Sequence, residues 1–171
     1  MVSPCPCVKV CFITNEYPGF GLRGGFGVLT RDLAEGLQEK GVETCVLVPH
    51  SHRVPQADVE ERNGVKIHAV PSSTPLKYLK RNRYKLEDVD IFHSEELLVD
   101  SHVAQLANPS AKHMVTFQDP PYFREIIQLD KLRGKSNPVR DSLLWVKYQL
   151  RHHILSRAVR NMDALYAEAR F

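Results

Sequence analysis

Short apolar runs alternate along this chain with longer stretches of helical period, and few folds accept that pattern. Six runs read as strands: Val8–Thr14, Thr44–Val48, Val65–Val70, Val89–His93, Met114–Phe117 and Ala164–Ala167. Asn63-Gly64 announces the third of them. Three segments read as helices. In Phe26–Lys40, the residues Phe26, Leu29, Leu33, Ala34 and Leu37 share a face, and Gly41 ends the helix. Glu95–Ala107 is stopped by Asn108-Pro109. From residue 139 onward Val139, Leu143, Val146, Leu150 and Ile154 recur at +4, +7, +11 and +15 as one stripe. Strands that are continuous apolar runs, separated by helices, point to a parallel sheet covered on both faces. The expected fold class is therefore α/β, a three-layer Rossmann-like domain with a parallel sheet of about six strands.

The length of 171 residues suits one domain of common size, and 43% apolar with 25% charged residues is ordinary for a soluble globular chain. Roughly two-thirds of the unfolded surface can be buried at this size, so folding requires neither disulfides nor metals. No stretch approaches the ~20 apolar residues of a membrane span. The start, MVSPCPCVKVCFIT, lacks a basic region and a small-residue cleavage site. The expected location is cytoplasmic, with peripheral membrane attachment as a variant. Cys5-Pro6-Cys7 has no second Cys/His pair at zinc spacing, and Cys11 and Cys45 lie in apolar runs where free cysteine behaves as a small hydrophobe. No metal site is expected.

Charge is distributed unevenly. Residues 131–171 carry 9 basic and 3 acidic side chains, while the rest of the chain is close to balance. A shorter basic run, Lys77, Lys80, Arg81, Arg83 and Lys85, is interleaved with Leu and Tyr. Two solvated faces account for both segments. An anionic membrane surface at residues 76–85 is the second reading. Single-stranded nucleic acid ranks a distant third, because no further stacking platform accompanies the tyrosines.

Ligands of open α/β sheets sit outside the carboxyl ends of the strands, so the turn after the first strand is the first place to search. It reads Tyr17-Pro-Gly19-Phe-Gly21-Leu-Arg-Gly24-Gly25-Phe-Gly27. Residues 19–24 spell G-x-G-x-x-G, but four residues separate the strand from Gly19, and Val48 is followed by Pro-His-Ser-His with no acid for a ribose. Gly24-Gly25 is better placed, directly before the helical period, where bare backbone N–H groups and the positive helix end can approach a phosphate. A loop that needs glycine only for its turns fits the same residues.

Glu16-Tyr17-Pro18, Gly24-Gly25, the helix ending Leu33-Ala34-Glu35-Gly36-Leu37, then Asn63-Gly64-Val65, Val89-Asp90-Ile91-Phe92-His93-Ser94-Glu95, Val115-Thr116-Phe117-Gln118-Asp119 and Met162-Asp163-Ala164-Leu165-Tyr166-Ala167 together resemble the amino-terminal half of GT-B glycosyltransferases of family four. These are retaining enzymes that use nucleotide sugars, with glycogen synthase-like and lipid mannosyltransferase-like members. The resemblance covers essentially the whole chain. It implies that 1–171 is a single Rossmann-like, acceptor-side domain, with the family's carboxyl-terminal donor-binding domain absent.

The resemblance also implies roles. Gly24 and Gly25 would meet the diphosphate of a UDP-, GDP- or ADP-sugar, and Glu16 and Tyr17 would lie near the acceptor, a small or lipid-linked sugar. His93 matches the histidine at the fourth strand's carboxyl end and would orient a sugar; a histidine satisfied by loop carbonyls is the bland reading. Gln118 stands where many relatives carry histidine in a T-x-H pattern. Glutamine keeps hydrogen-bonding capacity but takes up no proton near neutral pH, so sugar binding stays open and an acid–base role does not. Asp119 retains the family's acid, and before Pro120-Pro121 it is equally a turn former. Backbone amides and basic side chains would neutralise the leaving diphosphate in place of a metal.

The expected function is acceptor binding for transfer of a sugar from a nucleotide-sugar donor to a hydroxyl, with turnover dependent on a donor-binding domain or a separate donor-binding chain. The first alternative is a non-catalytic binding or assembly module, a homo-oligomer included, that uses the face left open. The second is an NAD-binding oxidoreductase domain, favoured only by the literal G-x-G-x-x-G.

Overall fold

The computed structural model describes residues 8–20, 24–51, 58–71, 84–96, 99–117, 132, 134 and 137–167. Strands β1 (Lys9–Ile13), β2 (Glu43–Ser51), β3 (Asp58–Arg62), β4 (Val65–Pro71), β5 (Ile91–Ser94), β6 (Lys112–Phe117) and β7 (Ala164–Ala167) form one sheet in the order β3-β4-β2-β1-β5-β6-β7. Helices α1 (Gly25–Glu39), α2 (Val99–Ala107) and α3 (Pro138–Arg160) complete the described elements. All strand pairings are parallel except β3 with β4. The α/β, Rossmann-like class is as the sequence indicated, with one strand more than the six expected.

The extra strand comes from Asn63-Gly64. Both residues have positive φ, 50° and 79°, which is the backbone of a tight hairpin turn. The pair therefore joins two strands, and Arg62 faces Val65 across the antiparallel ladder. The charged run Asp58-Val-Glu-Glu-Arg62 hides the first of the two from an apolar-run search.

Alternation along the strands divides the core in two. Val10, Phe12, Val46, Val48, Val65, Ile67 and Ala69 pack on one face with Ala34 and Leu37 of α1. Cys11, Ile13, Cys45, Leu47 and Val70 pack on the other with Tyr84, Val89 and Val103 and Ala104 of α2. Cys11 and Cys45 are register partners across β1 and β2 and are both free and buried, as small hydrophobes would be. Tyr84, from the basic 76–85 stretch, is buried and donates to Asp100 Oδ1 at 2.7 Å; Lys85 is exposed, and 76–83 lie outside the described residues.

Two helices bury only part of the apolar stripe that their sequence marks. The buried residues of α1 are Gly27, Thr30 and Ala34, whereas Leu29 and Leu33 are exposed. Small residues let the helix lie close to the sheet, and that close approach decides the face. Helix α3 starts where Asn137 Oδ1 accepts from Arg140 N at 2.8 Å with Pro138 at the first position. Its inward side carries Leu144, Tyr148, Leu155, Ala158 and Val159, and Gln105 Nε2 of α2 donates to Ala158 O at 3.0 Å. The stripe Val139, Leu143, Val146 and Leu150 points away, and only Ile154 at its end is half-buried.

Candidate functional site

The direction of winding reverses between β1 and β5. The chain steps from β1 outward to β2 on one side, and from β5 to β6 and β7 on the other. A crevice forms outside the carboxyl ends of the two strands at such a point. Glu16 follows β1 there, and His93 and Glu95 stand at the end of β5.

The turn after β1 is held by Thr14, whose hydroxyl accepts from Glu16 N at 3.1 Å and donates to Glu16 O at 3.2 Å. That turn aims the Glu16 carboxylate at the start of α1, where Oε2 accepts from Phe26 N at 3.2 Å. Gly24, the residue before the helix, makes no side-chain cap, so Glu16 supplies the missing acceptor and places a negative charge at the positive helix end. A Cβ on Gly24 would fall on this carboxylate, and one on Gly27 would fall on the Glu16 carbonyl. Gly25 has nothing within 4 Å of its would-be Cβ and faces open space. The two glycines of the pair thus differ: Gly24 accommodates Glu16, and Gly25 faces open space.

Tyr17 is only 2% exposed and packs against Phe20, ring centroids 6.4 Å apart. Burial pushes its phenol up. Arg62 lies 4.7 Å over the Phe20 ring and donates to Pro18 O at 3.3 Å, so the β3–β4 hairpin clamps this loop. The ring of Tyr17 belongs to the core, and Glu16 alone of the pair directs its side chain toward the helix end.

His93 Nε2 and Thr116 Oγ1 are 2.8 Å apart, and the imidazole lies 5.4 Å from the Phe12 ring. Burial holds the imidazole below its ordinary range, so it is neutral near pH 7 and has both a donor and an acceptor nitrogen. Gln118 and Asp119 follow β6 just beyond Thr116 and Phe117 and lie outside the described residues.

Glu95 was not among the site candidates read from sequence. It is 1% exposed, its N–H donates to Ile13 O at 3.2 Å, and burial pushes its carboxyl up to about 7. Glu95 thus stands at the carboxyl end of β5, two residues after His93, with its carboxyl sealed from solvent. The signal in the sequence is an acid directly after an apolar strand, where a buried end converts it from a solvated charge. Among the described residues no group of three or more His, Cys, Asp or Glu could hold a metal ion.

Residues 24–170 match the family profile described as "Glycosyl transferase 4-like domain". The chain belongs to this family. The match takes in Gly24, Gly25, His93, Glu95, Thr116, Gln118 and Asp119, while Glu16 and Tyr17 precede it. A glycogen synthase of Desulfitobacterium hafniense is 29% identical over 85 residues, an alignment covering 50% of this chain and 18% of that protein. The chain thus aligns with less than a fifth of that relative's length. The mostly parallel sheet of this glycosyl transferase 4-like domain is consistent with a Rossmann-like half of a GT-B fold.

Proposed function

We propose that this domain is the acceptor-binding wall of a retaining glycosyltransferase, which transfers a sugar from a nucleotide-sugar donor to a hydroxyl. The observation that carries the reading is the family match over residues 24–170, combined with the reversal of strand order between β1 and β5. His93 orients a sugar hydroxyl through its neutral imidazole, with Thr116 fixing the ring. Gly25 lets the donor diphosphate of a UDP-, GDP- or ADP-sugar approach the helix end, and Gly24 serves that approach by giving room to Glu16. Glu16 and Tyr17 border the acceptor, Tyr17 by carrying the loop. Gln118 and Asp119 continue the sugar-binding edge after β6. Turnover requires a donor-binding domain, in the same polypeptide or in a separate chain.

The test is a sugar-transfer assay with mass detection, alongside calorimetric titration of UDP-, GDP- and ADP-sugars, NAD(H) and α-glucan oligosaccharides. Glucans are the first acceptors to try because one relative is a glycogen synthase. Saccharide binding that shifts the His93 and Thr116 resonances, without turnover by these 171 residues alone, supports the proposal. Robust turnover by the chain alone overturns the acceptor-wall reading, and tight NAD(H) binding replaces it with the oxidoreductase reading. One observation favours an assembly role as a second reading: the apolar stripe of α3 lies exposed.

A further inference from the structure

Buried polar atoms in a folded domain find hydrogen-bond partners, and an exception calls for a reason. The turn after β1 carries one. On either side of it the polar groups are engaged: Thr14 Oγ1 accepts from Glu16 N, and Glu16 Oε2 accepts from Phe26 N. Asn15, between them, is half-buried, and its Oδ1 is sealed from solvent. Among the described residues this oxygen accepts no hydrogen bond. An amide oxygen in that state destabilises the ligand-free fold, because nothing replaces the water it gives up. Its place matters too. Thr14 N donates to Leu47 O, so the β1 ladder runs on through Thr14, and Asn15 is the first residue beyond it. Register sets Phe12 beside His93 and Ile13 beside Ser94 on β5. Asn15 thus stands at the carboxyl end of β1 where the strand order reverses.

We propose that Asn15 binds the acceptor, its Oδ1 accepting from a sugar hydroxyl and its Nδ2 donating to a neighbouring sugar oxygen. A carboxamide holds an acceptor and two donors in one plane, which suits the adjacent hydroxyls of a sugar ring. Tyr17 is committed to the core and Glu16 to the helix end, which leaves Asn15 with hydrogen-bonding capacity to spare. Rotation of its side chain toward a ligand breaks no hydrogen bond at Oδ1 and leaves the backbone in place. Chemistry selects a hydroxyl over a metal ion. Among the described residues no group of three or more His, Cys, Asp or Glu could hold a cation, and one amide oxygen is too few ligands. The inference rests on the acceptor-wall reading and adds a residue to it.

The test titrates a panel of glucose-, galactose- and mannose-based oligosaccharides, maltohexaose first, into the whole chain by calorimetry and nitrogen NMR. The side-chain amide resonances of Asn15, identified by their absence from the Asn15→Ala spectrum, should shift in the wild type as the saccharide binds. Asn15→Ala should weaken binding about fivefold to tenfold, the scale of one hydrogen bond. Its melting temperature should equal or exceed that of the wild type, because Oδ1 has no bond to lose. Asn15→Leu puts apolar atoms in the same space and should melt higher still, with affinity no better than that of Asn15→Ala. Affinity lost while stability is kept separates a binding role from a structural one, which would lower both. The two readings fail separately. If the wild type binds a saccharide, Asn15→Ala binds it equally and the amide resonances stay still, the inference is overturned and the acceptor-wall reading stands. If Asn15→Ala melts well below the wild type and the amide resonances stay still, the side chain is structural and the inference is again overturned. If the wild type binds nothing in the panel, both readings are overturned.

Discussion

The Glu16 carboxylate occupies the space that a side chain on Gly24 would need, eight residues further along the chain. Gly24 has φ −172°, an extended conformation open to any residue, so the demand for glycine there is steric and comes from Glu16. Gly24→Ala should displace the carboxylate from Phe26 N and remove the cap of α1, costing about 0.5–2 kcal/mol. In a Glu16→Ala background the same substitution should cost almost nothing. A coupling energy of about 1 kcal/mol in the double-mutant cycle, by urea denaturation, is the expected result; additive losses would refute the interlock.

Gly27 presents the harder limit. Its would-be Cβ meets the Glu16 carbonyl, which is backbone and cannot swing aside. Gly27→Ala should therefore force α1 away from the sheet and cost about 1–3 kcal/mol. Gly25→Ala meets no atom within 4 Å and should be neutral or stabilising by up to about 1 kcal/mol through the unfolded state. Thermal melts of the two variants should differ in sign or nearly so. Gly25→Ala should nonetheless weaken diphosphate binding by calorimetry.

Glu95 gives the protein a particular pH response. Its folded pKa of about 7 lies above the usual carboxyl range, so the folded state holds the proton more tightly than the unfolded chain does. Stability from this group is present at low pH and is lost as pH rises from about 4.5 through about 7, by about 3 kcal/mol at most. Glu95→Gln should abolish that decline. His93 and His113, both held below their range by burial, act oppositely as pH falls below about 6.5. The difference between wild type and Glu95→Gln across pH 4–8 isolates the carboxyl. Parallel curves would mean that Glu95 does not titrate near neutrality and holds no proton at the crevice.

Thr116→Val keeps the shape of the β6 side chain and deletes its hydrogen bond to His93. A loss of about 0.5–1.5 kcal/mol is expected. The more telling measurement is nitrogen NMR of the imidazole: Thr116 should fix one tautomer of His93, and the variant should show a changed tautomer population. An unchanged imidazole spectrum would mean that the 2.8 Å contact does not orient the ring.

The central parallel strands were legible because β1 and β2 carry continuous apolar runs buried on both faces, Val10–Ile13 and Cys45–Val48. The β3 strand was not, because a charged edge strand carries no apolar run, and its only trace was the Asn63-Gly64 turn. The helix of 138–160 was legible from its spacing, but the side it packs with was not. Val139 and Leu143 follow the helical period as well as Leu144 and Tyr148 do, and only the tertiary arrangement chooses between them. Gly24 and Gly25 were read from their place between a strand and a helix, and His93 from the resemblance to the family. Glu95 was passed over because its raised pKa arises from burial, and burial is a property of the assembled sheet rather than of neighbours in sequence.

The hairpin at Asn63-Gly64 has a consequence for behaviour at high concentration. A parallel sheet that ended at β4 would offer the bare backbone of an apolar strand to any passing chain. Instead β3 covers it, and four of its five residues, Asp58, Glu60, Glu61 and Arg62, are charged. A second sheet adding to this border would have to strip these charged side chains of water, which is one way natural sheets resist edge-to-edge aggregation. The hairpin that clamps the loop after β1 also keeps the domain dispersed.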